Sequence, residues 1–211
     1  MQELFGTQHL ALFIASGLLL NITPGQDTLY IVGRSLSQGR RAGVLSVLGI
    51  SSGSVVHTLA AAFGLSAILA TSATAFLFVK FAGAGYLIYL GLRMLLDRSI
   101  ARGDVAVFPV ERGWAIYRAG LLTNVLNPKV ALFFMAFLPQ FVAPTAGSHV
   151  LPFLFLGAVF IFNGTIWCLV LVWGASAASR RLREHRSYGA IVKRATGVVF
   201  VGLGVRLAVS K

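Results

Sequence analysis

NITPGQD at residues 21–27 and NVLNPK at residues 124–129 each interrupt a long apolar segment of the chain. Both stretches combine a proline with side chains that form hydrogen bonds. Proline removes a backbone donor and clashes with the preceding helical turn, so it breaks a helix. Inside a bilayer, non-helical backbone is tolerated only where it is buried against protein or lines a water-filled cavity. Two such breaks, one in each half, are typical of a transporter with a central site.

The composition is that of an integral membrane protein. Of the 211 residues, 57% are hydrophobic and only 11% are charged, and the mean hydropathy is +0.83. Soluble domains carry about 25% charged residues. Six apolar stretches approach or exceed the roughly 20 residues that cross the hydrocarbon. They cover residues 4–21, 42–70, 75–96, 113–138, 150–178 and 190–209. The sequence therefore predicts an all-α membrane protein of six transmembrane helices, with helices one and four broken by proline.

The net charge of +12 is concentrated in alternate connections between these stretches. Basic residues surround the first, third and fifth connections, whereas the second and fourth contain neither Lys nor Arg. By the positive-inside rule, the odd connections face the cytoplasm and both termini lie outside. Charge thus indicates orientation in the lipid bilayer, and we expect no nucleic-acid partner. The first stretch lacks a basic leading region, so we expect it to be retained rather than cleaved as a signal peptide.

The two halves of the chain resemble each other. The segments KFA at 80–82 and GLR at 91–93 align, at equal spacing, with KRA at 193–195 and GVR at 204–206. Three spans per copy is an odd number, so consecutive copies insert with opposite orientations. We therefore predict one transmembrane transporter domain over residues 1–211, built as two inverted three-helix repeats. The predicted segments are repeat one at about 1–97, a cytoplasmic linker at about 98–112, and repeat two at about 113–211.

Asp27 is the only carboxylate that adjoins a broken helix. A low dielectric favours the neutral form of a carboxyl group, so this residue is a candidate for proton exchange. Alternatively, Asp27 only caps the helix that resumes at Thr28. His57, in the second stretch, could relay protons near neutral pH, or it could pack through one hydrogen bond. We predict Asp27 and His57 as the proton-coupling residues, with the structural alternatives open.

The polar residues of the two breaks are candidates for substrate binding. Hydroxyl and amide groups can receive both ends of a zwitterion, and a helix N-terminus favours its carboxylate. Alternatively, these groups only satisfy the carbonyls that the prolines free. Lys129 lies too deep to reach water by extending its side chain, so we expect it to pair with Asp27 or to hold the substrate carboxylate. The predicted substrate-binding residues are Asn21, Thr23, Pro24, Gly25, Gln26, Asn124, Asn127, Pro128 and Lys129.

Cys168 is the single cysteine, which excludes a disulfide or a thiolate metal cluster within one chain. It also argues against a membrane thiol-redox carrier, because such carriers pass electrons between two cysteines. One core carboxylate and one histidine make a poor divalent-metal site, so a metal-ion exporter is a weaker alternative. A structural membrane scaffold is a further alternative. The sequence contains no phosphate-binding loop and no hydrolase motif. We therefore expect no enzymatic activity, no cofactor and no bound metal.

Several motifs together resemble the lysine exporter and homoserine/threonine exporter family. They are TPGQD at 23–27, GRSLSQGRRAG at 33–43, Gly49 with Gly53 and His57, KFAGAGYLIYLG at 80–91, GLLTNVLNPK at 120–129 and FLPQF at 137–141. The resemblance implies six helices in a bacterial plasma membrane and efflux of amino acids coupled to the proton gradient. The cargo would be homoserine- or threonine-like, or basic. Gln26 replaces a second proline that the family usually carries. Whether the chain forms a homo-oligomer is left open.

Overall fold

The computed structural model describes residues 5–67, 73–96, 108–143, 146 and 149–177, together with 198, 201–202, 205 and 208–209 near the C-terminus. These residues are almost entirely helical. The helices are α1 (Leu10–Ile22), α2 (Gln26–Leu59), α3 (Ala73–Leu96), α4 (Gly113–Val125), α5 (Pro128–Leu132) and α6 (Val150–Ala177). A π-helical segment (Ala60–Leu65) extends α2, and a π-helical segment (Phe133–Phe137) with a 3-10 turn (Leu138–Phe141) extends α5.

The apolar helices are consistent with a membrane protein. Two helical segments, Gln26–Leu65 and Val150–Ala175, are long and apolar enough to cross a bilayer. The bent pair Gly113–Val125 and Pro128–Phe141, with a bend of 46°, forms a third span if it is counted as one. The helix α1 is apolar but has only 13 residues. Most of the sixth predicted stretch and most of the predicted linker lie outside the described residues, so the six-helix inverted repeat stays a prediction.

Both breaks lie where the prolines predict them. The first separates α1, which ends at Ile22, from α2, which begins at Gln26. The second separates α4, which ends at Val125, from α5, which begins at Pro128. Proline suits the first position of α5 because its missing N–H would have no partner there. The sequence-based prediction of proline-broken helices is therefore correct at these two positions.

The two broken helices run antiparallel with their breaks side by side. Phe13, near the start of α1, packs against Phe141 at the end of the segment that follows α5, with ring centroids 5.2 Å apart. Asp27, at the start of α2, is hydrogen-bonded to Asn124 at the end of α4. Lys129, at the start of α5, reaches the last turn of α1. The half-helix before each break therefore packs against the half-helix after the other break, and the two run in opposite directions.

Two buried apolar clusters lie on either side of the two breaks. One is rich in phenylalanine and joins α1, the segment after α5 and α6, with Phe13, Phe133, Phe137 and Phe153 all buried. The other joins α2, α4 and α6 and contains Ile31, Ile50, Ile116 and Val172. The polar groups at the breaks therefore lie between two apolar packing regions.

The connection between the first two predicted stretches is mostly helical rather than a loop. The three arginines after the first break predict a loop, but the helical segment is interrupted only at Gly39, with φ 80° and ψ −177°. Residues with a β-carbon rarely adopt this φ, whereas glycine does so at little cost. Gly39 therefore divides α2 into a half-helix that belongs to the first break and a long helix that follows it.

Glycine at position 49 allows α2 and α4 to touch. A β-carbon there would clash with the backbone carbonyl of Tyr117 and lie 2.9 Å from the backbone nitrogen of Leu121, whereas one at Gly64 would meet nothing within 4 Å. We expect Gly49→Ala to destabilise the protein by about 1–3 kcal/mol because backbone cannot move aside easily. Thermal melting in detergent measures this, with Gly64→Ala as the matched control. Equal melting temperatures for the two variants would contradict the prediction.

Candidate functional site

A cavity lies where the two breaks meet, enclosed by α1, α2, α4, α5 and α6. Its free volume is about 30 Å³, which holds roughly two water molecules. The cavity must therefore widen, through side-chain or helix movement, before a small organic molecule fits. Its lining residues are Leu20, Asn21, Asp27, Thr28, Ile50, Ser51, Ser54, Asn124, Lys129, Val130, Phe160, Ile161, Gly164, Thr165 and Cys168.

Asp27 lies in the first turn of α2, beside the cavity. Its Oδ2 accepts a hydrogen bond from Asn124 Nδ2 at 2.9 Å. Its Oδ1 is buried and has no hydrogen-bond partner. The N-cap position of α2 is Gly25, and no side chain caps the helix. One carboxylate oxygen is thus held in place, while the other is available to a group that enters the cavity.

Asn124 connects the breaks to the long part of α2. Its side chain is almost fully buried, at 1% exposure, and its Oδ1 accepts from Ser54 Oγ at 3.3 Å. Its backbone oxygen lies 3.1 Å from His57 Nε2. Because a carbonyl oxygen can only accept, His57 Nε2 carries the hydrogen of this bond. His57 therefore supports the backbone next to the second break, and it does not line the cavity.

Lys129 crosses from one break to the other. Its Nζ donates to the backbone oxygens of Leu20 and Thr23, at 3.0 Å each. These carbonyls belong to the C-terminal end of α1, where a positive charge is favoured by the helix dipole. A β-carbon at Gly25 would lie only 3.2 Å from this Nζ, so the glycine leaves room for the ammonium group.

Asp27 and Lys129 line the same cavity but form no direct ion pair. Across the described part of the chain, the salt bridge present is the one between Arg34 and Glu111. The carboxylate and the ammonium group are instead held separately, by Asn124 and by backbone carbonyls. The two ends of the cavity therefore carry opposite charges that do not neutralise each other by contact.

The other predicted site residues fall into three groups. Asn21 lines the cavity, and its Nδ2 is buried without a hydrogen-bond partner. Thr23 and Asn127 serve the breaks: Thr23 Oγ1 donates to the Leu19 oxygen at 2.6 Å, and Asn127 Oδ1 accepts from the Lys129 backbone N–H at 3.0 Å. The remaining predicted residues do not line the cavity, and they are Pro24, Gly25, Gln26 and Pro128. Of these, Pro24, Gln26 and Pro128 are exposed.

Sequence reasoning missed the small hydroxyl residues that complete the cavity. Ser51 from α2 and Thr165 from α6 share a hydrogen bond of 2.8 Å, and Ser54 bonds to Asn124 as described. Gly164 brings α6 so close that a β-carbon there would lie 3.2 Å from Asn21 Nδ2. Polar residues spaced three apart inside an apolar stretch are the signal that could have identified Ser51 and Ser54.

A second polar cluster lies to one side of the cavity and joins α2 to the segment that leads into α4. We call it the Arg34 latch. Arg34 is 3% exposed and forms a 2.8 Å ion pair with Glu111. It also donates to the oxygen of Pro109 at 2.9 Å and to Gln38 Oε1 at 2.8 Å. Its guanidinium lies 4.7 Å from the ring centroid of Phe108. The latch therefore holds the two half-helices together on this side of the breaks.

At the opposite end, the chain before α1 pairs with the chain after α5. We call this pairing the terminal clamp. An isolated antiparallel bridge joins Thr7 to Val142. The Gln8 N–H donates to the Phe141 oxygen at 2.8 Å, and the Ala143 N–H donates to the Gly6 oxygen at 2.8 Å. The latch and the clamp thus lie on opposite sides of the cavity.

The chain matches a known protein family and several relatives over nearly its whole length. The family described as "LysE type translocator" matches residues 18–211. An uncharacterized membrane protein of Vibrio cholerae is 30% identical over 201 residues, covering 94% of this chain and 96% of the relative. The uncharacterized membrane protein YrhP of Bacillus subtilis is 28% identical, covering 94% and 97%. A leucine efflux protein of Salmonella typhimurium is 24% identical, covering 97% and 96%. No solved structure matches the chain.

The family expected from the motifs is therefore confirmed, and it is a family of translocators, not a class of enzymes. The match begins just before the first break and includes the second break, the latch residues and every cavity residue. This protein belongs to the LysE type translocator family.

Proposed function

We propose that this protein exports amino acids or close derivatives across the bacterial plasma membrane, in exchange for protons. The observation that carries the proposal is the cavity at the two breaks. It presents an unpartnered carboxylate oxygen, Asp27 Oδ1, and an unpartnered amide donor, Asn21 Nδ2. Buried polar atoms without partners are costly. A zwitterion that supplies an ammonium group and a carboxylate would satisfy both. The name of the leucine efflux relative supports the same class of cargo.

Asp27, the single carboxylate among the described lining residues, supports the proposed proton coupling. Ionised Asp27 attracts the substrate ammonium group, whereas protonated Asp27 does not. A proton that enters from outside would therefore release the substrate there. Loss of the proton to the cytoplasm would restore the binding form of the site. In this proposal each substrate molecule leaves as a proton enters.

In this proposal, the Arg34 latch and the terminal clamp close the cavity on opposite sides and open alternately. The latch lies beside the basic connection that we expect to face the cytoplasm, and the clamp lies near the N-terminus, which we expect to be outside. Opening the latch alone would admit substrate from the cytoplasm. Opening the clamp alone would release it. In this proposal, the small cavity corresponds to a contracted conformation between these two open forms.

Reconstituted vesicles test the proposed function directly. When the vesicle interior is more acidic than the exterior, outward proton flow should drive accumulation of a labelled amino acid. A panel of radiolabelled neutral, acidic and basic amino acids would be offered. Vesicles with a collapsed gradient and vesicles without protein are the controls. If no member of the panel moves in a gradient-dependent way, the transport proposal is wrong.

A further inference from the structure

We infer that Lys129 is a fixed internal cation that restricts the cargo to amino acids of zero net charge and rejects those with a cationic side chain. The inference rests on the proposed function, because it concerns the specificity of the same cavity. It narrows the cargo left open by the sequence, in which basic amino acids were one alternative.

The charge inventory of the cavity is the first step. Among the lining residues that the structure describes, only Asp27 and Lys129 carry a charge. With Asp27 ionised, the formal charge of the lining is zero. A zwitterion adds one positive and one negative group and can match each with an opposite charge. A cationic amino acid adds a second positive group that has no counter-charge.

The second step is that Lys129 cannot withdraw from the cavity. Its Nζ is held by two backbone oxygens at 3.0 Å, those of Leu20 and Thr23, at the end of α1. A surface lysine could rotate into water, but this ammonium group is anchored within the packed helices. It retains one N–H beyond the two that these carbonyls use. That hydrogen is available to the substrate carboxylate, beside the unpartnered Asn21 Nδ2.

The third step is the apolar part of the cavity. The walls contributed by Ile50, Phe160 and Ile161 offer no acceptor for a second ammonium group. The hydroxyl groups of Ser51, Ser54 and Thr165 can accept a hydrogen bond but carry no counter-charge. Transfer of an unpaired charge into such surroundings costs several kcal/mol. An aliphatic or otherwise neutral side chain has no such cost. The repulsion by Lys129 and the lack of a second acid therefore act in the same direction.

The first experiment uses the wild-type protein in reconstituted vesicles. Competition against labelled leucine would be measured for leucine, lysine and Nε-acetyl-lysine. Acetyl-lysine is at least as long as lysine but has no side-chain charge, so it separates charge from size. We expect acetyl-lysine to compete at least about tenfold better than lysine. Competition by lysine equal to that by acetyl-lysine would overturn the inference.

The second experiment removes the cation. Lys129→Gln leaves the cavity with the charge of Asp27 alone, so we expect the ratio of lysine to leucine transport to rise at least about tenfold. Lys129→Arg retains the charge and should keep the wild-type ratio. An unchanged ratio in a folded Lys129→Gln protein contradicts the inference. If the wild type moves no amino acid at all, the proposed function itself fails, which is a different result.

Discussion

Replacement of Asp27 by Asn is expected to lower pH-gradient-driven transport by at least about a hundredfold without unfolding the protein. The variant loses the only carboxylate among the described residues that line the cavity, and with it the group that we propose exchanges a proton. A charge-assisted hydrogen bond to the substrate ammonium is lost as well, which is worth about 3 kcal/mol and corresponds to roughly a hundredfold. Folding should survive because the amide oxygen of the new side chain can still accept from Asn124 Nδ2.

The measurement is gradient-driven accumulation, in vesicles that contain each variant at equal density, of the labelled amino acid that the wild type accumulates best. Thermal melting in detergent checks that the variant is folded. Asp104→Asn is the matched control, since it makes the same change in the predicted connection between the halves. We expect that control to transport like the wild type. Wild-type accumulation by Asp27→Asn would show that this carboxyl group does not couple transport to protons.

The breaks and the central charges were predictable because their causes are local in sequence. A proline cannot continue a preceding helix without losing a hydrogen bond, and it also disfavours helical backbone in the residue before it. A charge in an apolar stretch must face a cavity or a partner, because lipid offers it none. That reasoning led to Asn21, Asp27, Asn124 and Lys129, all of which line the cavity.

The direction of each side chain was not predictable in the same way. Consecutive helical residues differ in direction by about 100°. In the first turn of α2, Gln26 is exposed, whereas Asp27 lines the cavity. The acceptors of Lys129 are backbone oxygens, which carry no sequence signal. Thr165 enters the site from α6, far along the chain, and only the packing of helices places it there. These features depend on tertiary structure.

Glu111→Gln is expected to open the cavity on the side of the Arg34 latch. Glu111 is 36% exposed, but its partner Arg34 is almost fully buried, and Arg34 Nε has no hydrogen-bond partner. Removal of the carboxylate leaves a buried cation with fewer compensating contacts, which is strongly destabilising for fully buried pairs. Because Glu111 is partly exposed, the loss is smaller than for a fully buried pair, and we expect the closed form to be destabilised by about 2 kcal/mol. The population of the closed form relative to the open form then falls about thirtyfold.

Cys168 provides the measurement, because it is the only cysteine of the chain and lines the cavity. Its labelling by a charged, membrane-impermeant thiol reagent should be about thirtyfold faster in Glu111→Gln than in the wild type. Glu111→Asp retains the charge and should stay closer to the wild-type rate, and Cys168→Ser should abolish labelling. The increase should appear in inside-out vesicles and not in right-side-out ones, since we expect the latch to face the cytoplasm. Equal rates in wild type and Glu111→Gln would mean that the latch does not close the cavity. An increase from the opposite side would mean that the predicted orientation is inverted.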